Sequence, residues 1–240
     1  MFADRRLAAI YDWLEGDRAD LDVYAAMLVD EFGARTVLDI GCGTGTLACL
    51  LAQRGVEVIG VDPAEASLEV ARTKPGGEGV RWITGDAATL PRVQVDAAVM
   101  TGNVAQVFLS DEEWERVLAA VRAAVVPGGR LVFETRDPSR RAWREWDRAH
   151  TLARTVIPVV GAVTAWCDVT GVEPPLVSFR GTNVFEADGT VLTSDSTLRF
   201  RSRDEIERSL TAAGYVVEEV RDAPDRPGLE FVFIARPCAR

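Results

Sequence analysis

Apolar residues recur at helical spacing over residues 3 to 15, where Leu7, Ile10, Tyr11 and Leu14 share one face. The same holds over 20 to 33, through Tyr24, Met27, Leu28 and Phe32. Both stretches predict helices. The pattern then shortens into β-branched and apolar runs separated by helical ones. Val37–Ile40, Glu57–Val61, Val80–Ile83, Val95–Met100 and Arg130–Glu134 read as strands. Helices are predicted from Leu47, stopped by Gly55, over Ala64 to Thr73 behind Pro63, and over Asp111 to Val125 behind Ser110. Regular alternation of strand and helix predicts an α/β fold: a Rossmann-like, doubly wound, mostly parallel sheet.

The alternation breaks after residue 135. A short helix, Arg140 to Arg148, carries Trp143 and Trp146, and the chain then turns β-rich. A strand around Ala162 to Thr170 ends at Pro174-Pro175, because proline donates nothing to a ladder. Asp188-Gly189 between two alternating runs predicts a hairpin. A helix capped by Ser202 and Asp204 and stopped by Gly214 follows, then strands at Tyr215–Val220 and Glu230–Ala235. The expected organisation is an N-terminal helical cap over 1–34, a core over 35–149 and 202–240, and an antiparallel β insert over 150–201, serving as a lid or a dimerisation element.

Charge narrows the partners. A formal net charge of -10 over 240 residues argues against nucleic acid, whose phosphates want a basic face, and leaves small molecules, with a homodimer as a further option. Cys42, Cys49, Cys167 and Cys238 lack metal-ligand spacing and have a single histidine to help them, so no metal site is expected and reduced, cytoplasmic thiols are. Charges interrupt every apolar stretch of the N-terminus, which does not read as a signal peptide, and no run is long enough to span a bilayer.

Candidate chemistry gathers at strand ends. Gly41-Cys42-Gly43-Thr44-Gly45 follows the first strand and precedes a helix, so its backbone can approach a ligand closely and the helix start can meet an anionic group. A turn that binds nothing has the same local pattern. Asp62 ends the second strand, where a carboxylate can accept from both hydroxyls of a ribose; capping the following helix is its competing role. Asp86, Thr101 to Asn103 and Glu134 to Arg136 end the next three strands. In open α/β sheets the ligand crevice lies at this edge.

These motifs resemble those of the class I S-adenosylmethionine-dependent methyltransferases, over residues 35 to 135 and the closing strands. DIGCGTG is similar to their first motif, VDP to their ribose-binding acid and GDA to their adenine-binding run. The resemblance implies S-adenosyl-L-methionine as cofactor. It places Gly41 and Gly43 against the methionine part, Asp62 on the ribose, Asp86 and Ala87 at the adenine, and Asn103 beside the donor. Asp39, Cys42, Pro63 and Thr101 complete the expected donor site, with Tyr11 and Tyr24 above it from the N-terminal helices.

The implied reaction is in-line methyl transfer to an O or N nucleophile of a small molecule, in which alignment and exclusion of water matter most and a base is optional. Glu134 and His150 are the candidate bases; an ion pair with Arg136 and simple solvation are their competing roles. Arg136 is a candidate to hold a substrate carboxylate, and Trp143, Trp146 and Trp166 to line an acceptor pocket, against surface and core roles. A non-catalytic donor-binding protein shares every one of these features. An NAD-dependent oxidoreductase shares fewer: Thr46 stands where its fingerprint wants Gly or Ala.

Overall fold

The computed structural model describes residues 4–87, 90 and 92–238. In chain order its helices are α1 (Arg5–Glu15), α2 (Asp20–Ala26), α3 (Thr46–Gln53), α4 (Glu65–Thr73), α5 (Asp111–Ala124), α6 (Arg148–Thr151) and α7 (Arg203–Ala212). Its strands are β1 (Thr36–Ile40), β2 (Glu57–Asp62), β3 (Val80–Thr84), β4 (Val95–Met100), β5 (Val125–Arg136), β6 (Ala153–Ile157), β7 (Gly161–Glu173), β8 (Leu176–Phe185), β9 (Thr190–Arg199), β10 (Tyr215–Asp222) and β11 (Glu230–Pro237).

Seven strands form one sheet in the order β10-β11-β5-β4-β1-β2-β3. The pairs from β5 to β3 are parallel, and β11 runs antiparallel to both neighbours. Strands buried on both faces read as continuous apolar runs, and successive residues feed opposite layers. Leu38, Ala98, Met100 and Phe133 pack towards α5 and α7, whereas Val37, Ala97, Val99 and Val132 pack towards α2 and α3. The fold is the expected Rossmann-like one. The winding reverses between β1 and β4, and the crevice opens there. No described helix is long and apolar enough to cross a membrane.

The insert is a separate antiparallel sheet in the order β6-β7-β8-β9. Its first strand, Ala153–Ile157, is absent from the sequence reading because five residues with Arg154 in their midst give little alternation to detect. Leu7 and Ile10 of α1 share a small core with Ile157, Val163 and Phe185, which docks the insert against the N-terminal helix.

Among the boundaries that differ from expectation, three have a local cause. The second helix widens into a π turn over Met27–Glu31, which turns Glu31 outward to the Arg221 guanidinium at 2.6 Å. Pro63 precedes α4 rather than opening it, because Asp62 Oδ1 accepts from the Ala64 N–H at 2.8 Å and holds the chain extended for one more residue. Residues 140 to 148 are not one helix. Short 3₁₀ turns at Pro138–Arg140 and Ala142–Glu145 precede α6, and Arg141 between them sits at φ 51°. The Asp137 and Asp147 carboxylates take nearby backbone N–H groups and start new turns instead of letting one continue.

Trp114 is the largest side chain buried between α5 and the sheet. It donates from Nε1 to Ser209 Oγ at 2.8 Å and meets Phe133 edge-on at 5.4 Å. Trp114→Ala is expected to cost about 3–5 kcal/mol, a cavity plus the lost hydrogen bond to Ser209. Urea unfolding of both proteins measures it, and a loss under about 1 kcal/mol contradicts this placement.

Candidate functional site

The glycine loop is shaped by its neighbours. Gly41 (φ 67°) donates to Val61 O, and a Cβ there would meet the Val104 side chain at 2.6 Å, so no larger residue fits. Gly43 N–H donates to Asp62 Oδ2 at 2.9 Å. α1 latches the loop from above: Asp12 accepts from the Thr44 hydroxyl and pairs with Lys74 at 2.6 Å, and Lys74 donates to Thr46.

Below the loop lies a cavity of about 580 Å³, in the range of small-molecule sites. Asp39, Gly41, Cys42, Gly43, Asp62, Pro63, Thr101, Asn103, Tyr11 and Arg136 all line it. These sequence candidates therefore converge on one crevice. Asp39 is buried and its Oδ1 has no hydrogen-bond partner. Burial, reinforced by the charge of Asp62, pushes its carboxyl up from 3.8 to about 7. Asp62 is raised by burial too, against the pull of its two backbone donors. Burial raises the Cys42 thiol far out of the reactive range.

Asn103 (φ 63°) sits in the left-handed region at the cavity wall. Its N–H donates to Glu134 Oε1 at 3.3 Å and its Nδ2 to Glu230 Oε2 at 3.0 Å, while its Oδ1 is buried without a partner. Arg136 pairs with Glu230 at 3.5 Å, donates to Gln106 at 2.9 Å, and lies 5.3 Å from the Trp146 ring centroid. Burial holds its guanidinium below the usual range.

Other candidates lie elsewhere. Glu134 does not line the cavity: its carboxylate is buried and takes the Tyr24 hydroxyl and the Gly102 and Asn103 N–H groups. It is thus a strut rather than a base, and Tyr24, spent on it, is a core residue rather than a cover for the cavity. His150 is exposed on α6, with Nδ1 2.9 Å from Asp147. Trp166 is on the far face of the insert, because Cys167 lines the cavity and alternate strand residues point opposite ways. It donates there to Asp168 at 2.8 Å. Trp143 lines a different cavity, and Trp146 is the indole at this one. Asp86 is exposed and Ala87 is packed in the core; neither lines the cavity.

The insert roofs the crevice with Cys167, Phe179 and Ser196 to Leu198, joined by Val104 and Val107. The sequence reading missed these residues. Phe179 was findable only by extending the strand before Asn183 back through its alternation. Arg18, held by Asp20 in a two-pronged bond at 2.9 and 2.8 Å, carries no sequence signal beyond its position between two helices.

Asp39 yields a pH prediction. The unfolded chain loses this proton near pH 4, whereas the folded protein keeps it until about pH 7. Its contribution to stability is therefore complete at low pH and is lost as pH rises through that window. Asp39→Asn buries no charge, so it is expected to leave the unfolding midpoint almost unchanged at about pH 4 and to raise it at about pH 8. Thermal unfolding of both proteins across that range tests this; a lower midpoint for the variant at the alkaline end contradicts it.

The methyltransferase domain family matches residues 37–129, from β1 into β5. The demethylmenaquinone methyltransferase of Thermus thermophilus is 37% identical over 144 residues, 58% of this chain and 64% of that protein. The cypemycin N-terminal methyltransferase of a Streptomyces species is 33% identical over 130 residues, 53% of this chain and 50% of that one. The chain thus spans between half and two thirds of these relatives. The sugar N-methyltransferase KedS8 from Streptoalloteichus sp ATCC 53650 has the same fold, with a TM-score of 0.79 at 19% identity over 96% of this chain and 92% of its own. Glycine loop, Asp62 and Asn103 all fall inside the matched stretch, so the donor-side crevice is built on a segment similar to a methyltransferase domain, within a fold shared with solved S-adenosylmethionine-dependent methyltransferases.

Proposed function

We propose that this protein transfers a methyl group from S-adenosylmethionine to an O or N nucleophile of a small molecule by in-line displacement. One observation carries this reading: Asp39 and Asp62, at the ends of adjacent strands, face one cavity of ligand size with the glycine loop between them and apolar side chains above. The residues present fit the donor. Asp62 has accepting capacity left on both oxygens for a ribose, since each takes only one backbone N–H. Asp39 Oδ1 is an unsatisfied acceptor in a buried place and wants an ammonium. Asn103 Oδ1 is a second such acceptor.

The donor supplies a methyl group already activated on a sulfonium, so the protein's work is alignment and dryness. Trp146, Phe179 and Leu198 close the upper side and keep water out. That placement favours the lid among the two roles open to the insert. With Glu134 engaged and His150 remote, neither of these two candidate bases reaches the acceptor side, which suits a nucleophile that attacks through a free lone pair and loses its proton afterwards. The small-molecule class is supported by relatives named for a menaquinone precursor and a sugar.

Titration calorimetry with S-adenosylmethionine and S-adenosylhomocysteine tests the donor half. Both are expected to bind, and Asp62→Ala to weaken them about tenfold or more, the loss of a charge-assisted pair of hydrogen bonds. No binding of either at millimolar concentration sinks the reading. Release of S-adenosylhomocysteine on incubation with fractionated metabolites tests the transfer half. Tight binding without release from any fraction favours the non-catalytic donor-binding protein.

A further inference from the structure

A second cavity, of about 710 Å³, lies outside the donor crevice. The loop after β5 forms one side, the Pro174-Pro175 turn between β7 and β8 another, and the β9–α7 junction the third. An aromatic series separates the two cavities. Phe179 and Trp146, on the donor side, stack edge-on at 5.0 Å; Trp146 reaches Phe200 at 6.1 Å, and Phe200 meets Trp143 edge-on at 4.6 Å on the outer side.

The outer cavity has its own chemistry. Arg141 and Arg144 both line it, and neither guanidinium has an ion pair or hydrogen bond to a described residue. Glu205 is the acid among the lining residues, and its Oε2 takes the Ser202 N–H at 2.7 Å and the Ser202 hydroxyl at 2.8 Å as part of the cap of α7. Trp143, Phe200 and the two prolines give flat apolar walls. Two free planar forks bind phosphate oxygens in pairs, and an indole wall accepts a ring. The volume suits a ligand of nucleotide size.

We infer that this outer cavity binds an aromatic or heteroaromatic ring that carries a phosphate group, with Arg141 and Arg144 on the oxyanion and Trp143 on the ring. The site is independent of the donor crevice and does not rest on the methyl-transfer reading. Its ligand is an organic phosphate, either as a separate effector or as the charged end of a larger molecule.

Uridine 5′-diphosphate is the probe, with uridine and inorganic pyrophosphate as its two halves. Calorimetry on the full chain is expected to show uridine 5′-diphosphate binding equally with and without saturating S-adenosylhomocysteine, and each half at least tenfold weaker. Arg141→Gln with Arg144→Gln, both on exposed side chains, is expected to weaken binding at least tenfold with an unchanged unfolding midpoint. Trp143→Ala is expected to do the same, and Trp143→Phe to restore most of the affinity and to serve as the folded control. The inference is overturned by no binding at millimolar concentration, by displacement with S-adenosylhomocysteine, by full affinity in the double arginine variant, or by pyrophosphate binding as tightly as the whole probe. Failure of S-adenosylhomocysteine to bind would sink the donor reading alone.

Discussion

A carboxylate buried where it cannot reach water must be satisfied by the protein, and Glu134 on β5 sets that demand at the centre of this molecule. Its three donors come from two elements: the Tyr24 hydroxyl from α2, and the Gly102 and Asn103 N–H groups from the loop after β4. Removing any one of them leaves charge uncompensated, so the N-terminal helices, the β4 loop and β5 are held in one arrangement. Glu230 on the adjacent β11 makes the same demand one step along, and draws in Asn103, Arg136 and Arg226. The cavity wall is the surface of this knot. Asn103 belongs to both carboxylates, which is why it can hold a left-handed backbone at the cavity wall while its own Oδ1 stays without a partner.

The insert stands over that wall because α1 has two jobs. One face packs Leu7 and Ile10 against the insert, and Asp12 on the same helix holds Thr44 and Lys74 beside the glycine loop. Roof and floor are therefore registered by a single rigid element. Changes in the insert reach the glycine loop through one helix turn, a distance over which packed side chains transmit strain directly.

The parallel sheet and its crevice were legible because local rules and tertiary demands agree there. Gly41 is required by the Val104 side chain, Asp62 by the loop it braces, and the apolar runs by burial on both faces. What was illegible depends on partners distant in sequence. Glu134 at a strand end has the local look of a base, and only Tyr24, from the other end of the domain, reveals it as a strut. Trp166 and Cys167 are neighbours in sequence, and the pleat sends one to the far face of the insert and the other to the cavity. Residues 140 to 148 show helical spacing, yet the flanking aspartates compete for its N–H groups more effectively than the next turn does.

Charge is the last feature to fall into place. Both guanidinium groups that line the donor cavity are already answered, Arg18 by Asp20 and Arg136 by Glu230, whereas Asp39 and Asp62 face it with no cationic side chain opposite. The uncompensated sign there is negative. A bound cation lowers the Asp39 carboxyl from about 7, so its arrival both finds and deepens the field that holds it. Across the aromatic series the balance reverses, with Arg141 and Arg144 unanswered. One loop, from Arg136 through Trp146, thus separates a pocket suited to a cationic ligand from one suited to an anionic ligand, with the aromatic rings standing between them.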